Sequence, residues 1–508
     1  NAEGNGFVDY VLWGADGLPL AVVEAKRTSK SPEVGQQQAK LYADCLEAQF
    51  GRRPVIFYTN GYEHRIWDDA GGYPPRETQG FYTRDELELL IQRRQTKLPL
   101  GTAQANTDIA GRPYQVRAIK AVGDAFDRKQ REALLVMATG SGKTRTTIAL
   151  VDLLQKANWV KRVLFLADRT ALVNQAANAF KQHLPGATTV NLVTEKAIEG
   201  RVYVSTYPTM MNLINEIDDG HRRFGPGYFD LIVIDEAHRS VYQKYGAIFE
   251  YFDALLLGLT ATPRDEVDRN TYQLFALEAG IPTYAYESEQ AFDDGFLVPP
   301  QTLSVPLKFQ RHGIHYADLS PEEQAEYELT FEDEDGQVPD KIDAGAINQW
   351  LFNQDTVDQV LRFLMQEGLK VAGGDQLGKT IVFAKNHDHA AFIAERFNQN
   401  YPHYKGKFAR VIDNYERFAE DLIEKFSMAQ EQPVIAVSVD MLDTGIDVPE
   451  ILNLVFFKTV YSKTKFHQMM GRGTRLCPDL FGPGQDKQAY LALDFCQNFE
   501  FFAQKPGA

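Results

Sequence analysis

A five-residue apolar run, Ala133–Met137, passes directly into Ala138-Thr-Gly-Ser-Gly-Lys-Thr144, and a helical pattern follows. A buried strand that ends in a glycine-rich turn and opens a helix requires a parallel sheet whose strands deliver their carboxyl ends to one crevice. Thr139, Gly140, Ser141 and Gly142 form a loop whose backbone N–H groups can approach phosphate oxygens. Lys143 adds a point charge for the β- and γ-phosphates, and Thr144 offers a hydroxyl to Mg²⁺, so the segment reads as an ATP site. Met137 stands where the general pattern has glycine, but the phosphate-contacting core is intact.

The surrounding pattern agrees. Ala133–Met137, Arg162–Ala167, Val202–Ser205, Leu231–Ile234 and Leu255–Leu259 are short, nearly continuous apolar runs separated by helical stretches, as in a sheet covered on both faces. The alternation returns at Thr380–Ala384, Val434–Ser438, Leu452–Phe457 and Tyr490–Phe495. Between the two sets, from Asp318 to Asp343, eleven acids face a single Lys341, and Pro321 and Pro339 interrupt the segment.

Residues 1–95 differ. Phe7–Trp13 and Leu20–Ala25 are apolar runs around Asp16-Gly17, and Val55–Thr59 and Tyr62–Trp67 flank Asn60-Gly61, two hairpin signals. Pro32 to Phe50 and Arg84 to Arg94 read as helices. The expected division is a first domain at 1–95, a Gly/Thr/Ala/Asn-rich linker at 96–111, a parallel-sheet domain at 112–300, an acidic connection at 301–345 and a second parallel-sheet domain at 346–508.

Composition narrows the function classes. At 508 residues, with 44% hydrophobic and 24% charged residues, the chain has ample material for several cores and is not disordered. The net charge of −16 argues against static coating of nucleic acid, although the acidic segment alone carries −10 of it (eleven acids less one lysine) and a local, transient grip stays open. No apolar run is long enough to span a bilayer, and Asn1–Gly6 does not resemble a secretory signal. The absence of an initiator Met suggests a chain that starts inside a longer protein. Cys45, Cys477 and Cys496 are scattered, without a CxxC pair, which fits a reducing cytoplasm better than a disulfide framework or zinc site.

Phe229-Asp-Leu-Ile-Val-Ile-Asp-Glu-Ala-His238 ends a buried strand with two carboxylates. An acid at the carboxyl end of a parallel strand faces the same crevice as the phosphate loop. Asp235 suits Mg²⁺, and Glu236 suits polarisation of an attacking water.

A second constellation lies near the start. Asp9 falls in the first strand of the hairpin, and Glu24-Ala-Lys26 ends the second. Alternation at period two places Glu24 and Lys26 on one face, and a hairpin can bring Asp9 beside them. Two carboxylates can hold a hard divalent cation, with Lys26 orienting water or neutralising phosphate. Gln38 and Tyr42, four apart on the following helix, share a face.

These motifs carry two resemblances. Asp9, Glu24-Ala-Lys26 and the Gln38…Tyr42 pair resemble the PD-(D/E)xK nuclease core, in a branch marked by QxxxY. From Arg112 onward the chain resembles a superfamily 2 helicase. Arg112-Pro-Tyr-Gln115 looks like its adenine-recognising segment, and Leu259-Thr-Ala-Thr-Pro263 like the motif that couples hydrolysis to DNA movement. Met441-Leu-Asp-Thr-Gly-Ile-Asp447 and Gln468-Met-Met-Gly-Arg-Gly-Thr-Arg475 look like motifs of its second domain. The resemblance implies that Gln468, Arg472 and Arg475 face the nucleotide, with Arg475 as arginine finger and Arg472 its partner on the γ-phosphate. It also implies nucleic-acid backbone contacts at Arg169, Thr170, Ser205 and Thr206, positions that could equally cap the following helices.

The order of nuclease, strand–Asn-Gly–strand and DEAH-type motor is similar to that of the motor subunit of type I restriction–modification enzymes. That likeness implies a restriction-endonuclease-like domain followed by two RecA-like domains, ATP and Mg²⁺ as cofactors, and double-stranded DNA as substrate. It also implies methyltransferase and specificity subunits as partners, no membrane, and cleavage away from the recognition site after ATP-driven translocation. The family's upstream nuclease elements and its C-terminal helical region would lie outside this chain. A type III restriction subunit, a superfamily 2 repair helicase without nuclease activity, and a non-enzymatic ATP-gated DNA clamp are the alternatives, the clamp ranking last because Glu236, Gln468 and Arg475 occur together.

Overall fold

A computed structural model describes residues 7–503 apart from 197–198, 219–220, 238, 414, 417, 444–445 and the stretch 306–352, of which only 314–315, 317, 324 and 341–342 are described. Nearly all of the acidic segment, together with His238, Thr444 and Gly445, therefore lies outside the described residues. The chain divides into two compact units. One comprises Asn1–Met137 and Gly142–Tyr286, the other Ala138–Ser141 and Glu287–Ala508.

Two large sheets lie in the first unit, beside a two-stranded pair at Ile217–Asp218 and His221–Arg222. The N-terminal one is mixed: β1 (Tyr10–Trp13), β2 (Pro19–Ala25), β3 (Val55–Thr59), β4 (His64–Trp67) and β5 (Arg76–Thr78) lie in sequence order, antiparallel except for the parallel pair β2–β3. Parallel neighbours need a crossover, supplied by α1 (Gln36–Phe50). Period-two alternation gives the sheet two apolar faces. Val22, Ile56 and Tyr58 pack with Ala39 and Ala43 of α1. Leu20, Val23, Val55 and Phe57 pack with Leu87 of α2 (Arg84–Thr96), whose start carries a Thr83/Glu86 capping box.

Two local readings are corrected, and the expected linker after α2 proves well packed. Asp9 precedes β1 rather than lying in it, because its carboxylate accepts the Ala25 N–H at 2.7 Å in place of a backbone partner. The turn at Asn60-Gly61 is a four-residue loop closed by the pair Thr59↔His64. The Asn60 side chain accepts from the N–H groups of Tyr62 and Glu63 and so widens it. The segment following α2 is packed rather than loose: Leu100 is buried, Leu98 N–H donates to Ala157 O, and Trp159 Nε1 donates to Leu98 O.

The second sheet of this unit has seven parallel strands, β6 (Glu132–Met137), β7 (Val163–Ala167), β8 (Thr189–Asn191), β9 (Val202–Thr206), β10 (Leu231–Ile234), β11 (Leu255–Thr260) and β12 (Tyr284–Tyr286). Their spatial order is β12-β6-β11-β10-β7-β9-β8. Strands β6, β7, β9, β10 and β11 are buried almost throughout, the expected result for a parallel sheet between helices. Helices α3 (Pro113–Asp127), α4 (Lys143–Lys156) and α5 (Thr170–His183) belong to these layers.

The second unit holds a six-stranded parallel sheet of β13 (Pro300–Ser304), β14 (Lys379–Phe383), β15 (Ala409–Val411), β16 (Ile435–Ser438), β17 (Ile451–Phe456) and β18 (Tyr490–Asp494), ordered β13-β18-β17-β14-β16-β15. One core cluster forms around Val382, Val437 and Val455, and the other around Ile381, Ala436 and Leu454. Among the described residues no helix is long and apolar enough to cross a membrane.

Candidate nuclease and motor sites

Glu24 shares the α1 face of β2 with Val22, two residues before it, and Lys26 continues that face past the strand end. Lys26 Nζ donates to Glu24 Oε1 at 2.6 Å and to Gln38 Oε1 at 2.8 Å, and Gln38 Nε2 donates to Tyr42 Oη at 2.8 Å. The four predicted side chains thus form one hydrogen-bonded chain between β2 and α1. Asp9 lies beside them through its bond to Ala25 N–H. Burial pushes the Glu24 carboxyl upward, against the pull of Lys26, and Asp9 raises it further. Gly35, unremarked in the sequence, permits this packing. A Cβ there would stand 3.1 Å from Glu24 Cγ and 3.2 Å from Lys26 Cε.

The donor set suits a hard cation. Glu24 Oε2 is buried without a hydrogen-bond partner, an oxygen whose desolvation a divalent ion would offset. Among the described residues no group of three or more His, Cys, Asp or Glu gathers at one point, so Asp9 and Glu24 would share such an ion with water.

In the motor part, Gly140 (φ +89°) and Gly142 (φ +86°) adopt the left-handed backbone that turns β6 into α4. Gly142 has a further reason to lack a side chain, since a Cβ would lie 2.7 Å from Gln115 Nε2. Gln115 is buried, and its Oε1 accepts the Arg112 N–H, which sets the amide over the start of α4. Ser141 N–H and Oγ both bond to Ala138 O, closing the loop that Thr139 and Gly140 cross. Lys143 Nζ donates to Met137 O at 3.3 Å, and Thr144 follows it in the first turn of α4.

Asp235 and Glu236 follow β10 directly. Glu236 has φ +53°, an uncommon conformation for a residue with a side chain, the kind of local strain that clusters at active sites. Burial raises the Asp235 carboxyl, Glu236 raises it further, and Lys143 opposes both. Two neighbouring acids countered by one ammonium make a setting that a divalent cation would relieve.

In the second unit, Gln468 lies on the helix Lys463–Met470, and Arg472 and Arg475 follow it. Arg472 is buried, donating through Nη1 to Ile446 O at 2.8 Å and through Nε to Gln468 O at 3.2 Å. Arg475 Nε donates to Asp447 Oδ1 at 2.9 Å. Sequence reasoning missed the brace beneath them. The buried Lys487 ammonium donates to Pro449 O, Ile451 O and Gly473 O at 3.0, 2.6 and 2.7 Å, tying the two motif loops together. Burial pushes this lysine down to about 7. It stands three residues before β18 in a polar stretch, with no pattern to single it out.

The four expected nucleic-acid residues divide. Arg169 and Thr170 are exposed at the start of α5. Ser205 is fully buried and its hydroxyl donates to Thr206 O, which corrects its reading as a nucleic-acid contact. Thr206 Oγ1 accepts the Thr209 N–H and caps the following helix, the alternative left open for it.

A mixed sheet with a D…ExK set ahead of two parallel sheets with helicase-like motifs defines a chain that joins a nuclease-like fold to a helicase-like one. Three family models match: "Type I restriction enzyme R protein N terminus" over residues 2–74, "Type III restriction enzyme, res subunit" over 108–265, and "Helicase conserved C-terminal domain" over 359–477. The EcoAI type I restriction enzyme endonuclease subunit of Escherichia coli is 30% identical, covering 98% of this chain and 60% of the relative. The EcoKI endonuclease subunit of E. coli K12 is 28% identical over 94% of this chain and 46% of the relative. A solved fragment described as an HsdR subunit of a type I restriction enzyme from Vibrio vulnificus YJ016 is 25% identical with a TM-score of 0.60, covering 98% of this chain and 85% of that one. The chain belongs to the R-subunit family of type I restriction enzymes. It spans about half the length of these curated relatives. The match at residues 2–74 weighs against a repair helicase, and against a type III subunit despite the description of the central model.

Proposed function

We propose that this chain moves along double-stranded DNA by hydrolysing ATP and cuts that DNA with its N-terminal site, as the nuclease-and-motor part of a type I restriction complex. The observation that carries this reading is the Glu24–Lys26–Gln38–Tyr42 hydrogen-bonded chain in the same polypeptide as a glycine-turned phosphate loop and the acid pair Asp235–Glu236. In this reading Asp9 and Glu24 hold a Mg²⁺ ion at the nuclease site, and Thr144 and Asp235 hold another beside ATP. The ion supplies charge neutralisation on phosphate when bound. Lys26 neutralises the scissile phosphate, Glu236 polarises the attacking water, and Arg472 and Arg475 stabilise the γ-phosphate. Gln115 and Gln468 contact the nucleotide, and Arg169 and Thr170 line the DNA path. Methyltransferase and specificity subunits supply sequence recognition, and the complex works in the cytoplasm. We also take 112–300 and 346–508 as the two motor domains, with 1–95 as the nuclease domain.

The test uses the protein assembled with its modification and specificity subunits. Glu24→Ala should abolish linearisation of a circular plasmid while ATPase and displacement of a triplex-forming strand persist. Lys143→Ala should abolish all three. A Glu24→Ala complex that still linearises the plasmid would remove the nuclease assignment, and ATPase stimulated by RNA in preference to duplex DNA would remove the motor assignment.

A further inference from the structure

A cavity of about 350 Å³ lies where the N-terminal sheet meets the seven-stranded sheet. Its lining is rich in charge, and every acid in it is committed. Asp253 accepts from Arg76 Nε at 2.6 Å, from Arg131 at 2.7 Å and from the Tyr82 hydroxyl. Asp230 pairs with Arg93, and Asp68 accepts from Arg94 Nε at 2.8 Å. Asp127 accepts the N–H groups of Leu100 and Gly101, and Glu86 accepts that of Thr83.

The cations are not all matched. Lys97 and Lys129 line the cavity without an ion pair to any described acid. They rest instead against two buried rings. Lys97 Nζ is 4.4 Å from the Trp159 ring centre, and Lys129 Nζ is 5.0 Å from that of Tyr73. Arg76 adds an independent sign, since its Nη1 is buried without a hydrogen-bond partner although its other two nitrogens engage Asp253. Burial pushes Lys97 down to about 8, with Arg93 and Lys129 adding to the fall, so positive charge there is under-compensated.

We propose that this cavity is a binding site for a small phosphate-class oxyanion, held by Lys97, Lys129 and Arg76. A polyvalent tetrahedral anion presents oxygens in several directions, and so can engage the half-buried Lys97, the exposed Lys129 and the unpaired Arg76 N–H together. A duplex cannot enter a space of this size, so the ligand is a small molecule, either a free phosphate or the phosphate chain of a nucleotide. Once bound, the anion links the end of α2 with the loop before β6 and with β5. It thereby stiffens the join between nuclease sheet and motor sheet. The site is separate from the phosphate loop, so the test removes that loop's contribution first.

The 508-residue chain carrying Lys143→Ala is titrated calorimetrically with inorganic phosphate, pyrophosphate and ATP in separate arms, and its thermal unfolding is followed with each. The expected result is one site per chain in at least one arm, with a raised unfolding midpoint. Adding Lys97→Met and Lys129→Met should weaken that binding at least tenfold and cancel the midpoint shift. Both methionines remove unmatched cations, so without ligand this variant should unfold at the same temperature or higher. Lys97→Arg with Lys129→Arg should keep the site. Binding of phosphate or pyrophosphate identifies a free oxyanion as ligand, and binding of ATP alone identifies a nucleotide. No binding in any arm with Lys143→Ala, or equal binding by the methionine variant, would overturn the proposal.

Discussion

The nuclease set and the motor set are built in different ways. Lys26, Glu24, Gln38 and Tyr42 come from one strand end and one helix, joined by bonds of 2.6–2.8 Å. The motor set is divided between two compact units, with Lys143, Asp235 and Glu236 on one and Gln468, Arg472 and Arg475 on the other. In the second unit the arginines bond to their own neighbours, Arg472 to Ile446 O and Arg475 to Asp447. In the proposed function the nuclease groups come from one unit, whereas the groups assigned to hydrolysis come from two. Under that proposal, such a division would let ATP binding and release drive motion.

The sharpest break of this contrast is on the motor side. Lys143→Ala should abolish ATP hydrolysis with the fold intact, because the half-buried ammonium reaches Met137 O beside the phosphate loop and takes no part in the apolar core. Arg475→Ala should slow steady-state hydrolysis on the order of 10³-fold while nucleotide binding weakens much less. Hydrolysis by Arg475→Ala at the parent rate would show that the second unit does not complete the site.

The N-terminal sheet and the seven-stranded sheet meet through Asp253, whose side chain is 5% exposed and pairs with Arg76 of β5 and Arg131 beside β6. Burial would raise its carboxyl, but Arg131 and Arg76 more than offset this and hold it well below the usual range. Removing one partner of a buried pair costs about 3–5 kcal/mol, so Asp253→Asn should lower stability by that order. Its folded pKa is depressed. Its contribution is therefore present above the unfolded value near 3.9 and is lost as pH falls through the folded value. Unfolding free energy measured from about pH 6 to pH 2 should fall less steeply in Asp253→Asn than in the parent. Equal slopes would mean that Asp253 is not the acid-sensitive link.

On the nuclease side a smaller effect is expected from a residue that touches the reacting groups only through another. Gln38→Ala removes the acceptor that holds Lys26 Nζ, and such orienting partners typically contribute about 10–100-fold to activity. Plasmid cleavage by the assembled complex should fall within that range while ATPase stays at the parent rate. Tyr42→Phe, one bond further out, should cost less. A simultaneous loss of ATPase would show that the two sites are less independent than their construction suggests.

Much of this architecture was legible in the residues. Runs such as Leu231–Ile234 and Val434–Val437 are unbroken and apolar, as burial between two helix layers favours, and they form the strands Leu231–Ile234 and Ile435–Ser438. The Glu24–Lys26 and Gln38–Tyr42 pairings followed from period two and period 3.6. The joins were not legible. Asp230 and Asp253 stand just before β10 and β11, where an acid usually means a solvated turn. Their arginine partners lie 137 and 177 residues away in sequence. Lys487 was hidden for the same reason, since its three acceptors are backbone carbonyls brought together only by tertiary structure. Ser205 erred in the opposite direction, because a hydroxyl at a strand end looks accessible until the helix behind it is placed.

The smallest expected effect tests how firmly Arg475, the proposed arginine finger, is held. Arg475 is largely covered, with 16% of its side chain exposed, but its partner Asp447 is 65% exposed. An ion pair with one member so wet contributes about 0–1 kcal/mol. Asp447→Ala should therefore leave the unfolding midpoint within that margin, in contrast to Asp253→Asn. Its effect should appear in turnover instead. If the pair holds Arg475 away from nucleotide, releasing it should raise ATPase measured without DNA by up to about fivefold, the rate equivalent of the same energy. Stimulated ATPase, in which Arg475 is already engaged, should change little. Basal ATPase that falls to the level of Arg475→Ala would show instead that Asp447 aims the finger, and the motor's arginine would then be as firmly held as the nuclease lysine.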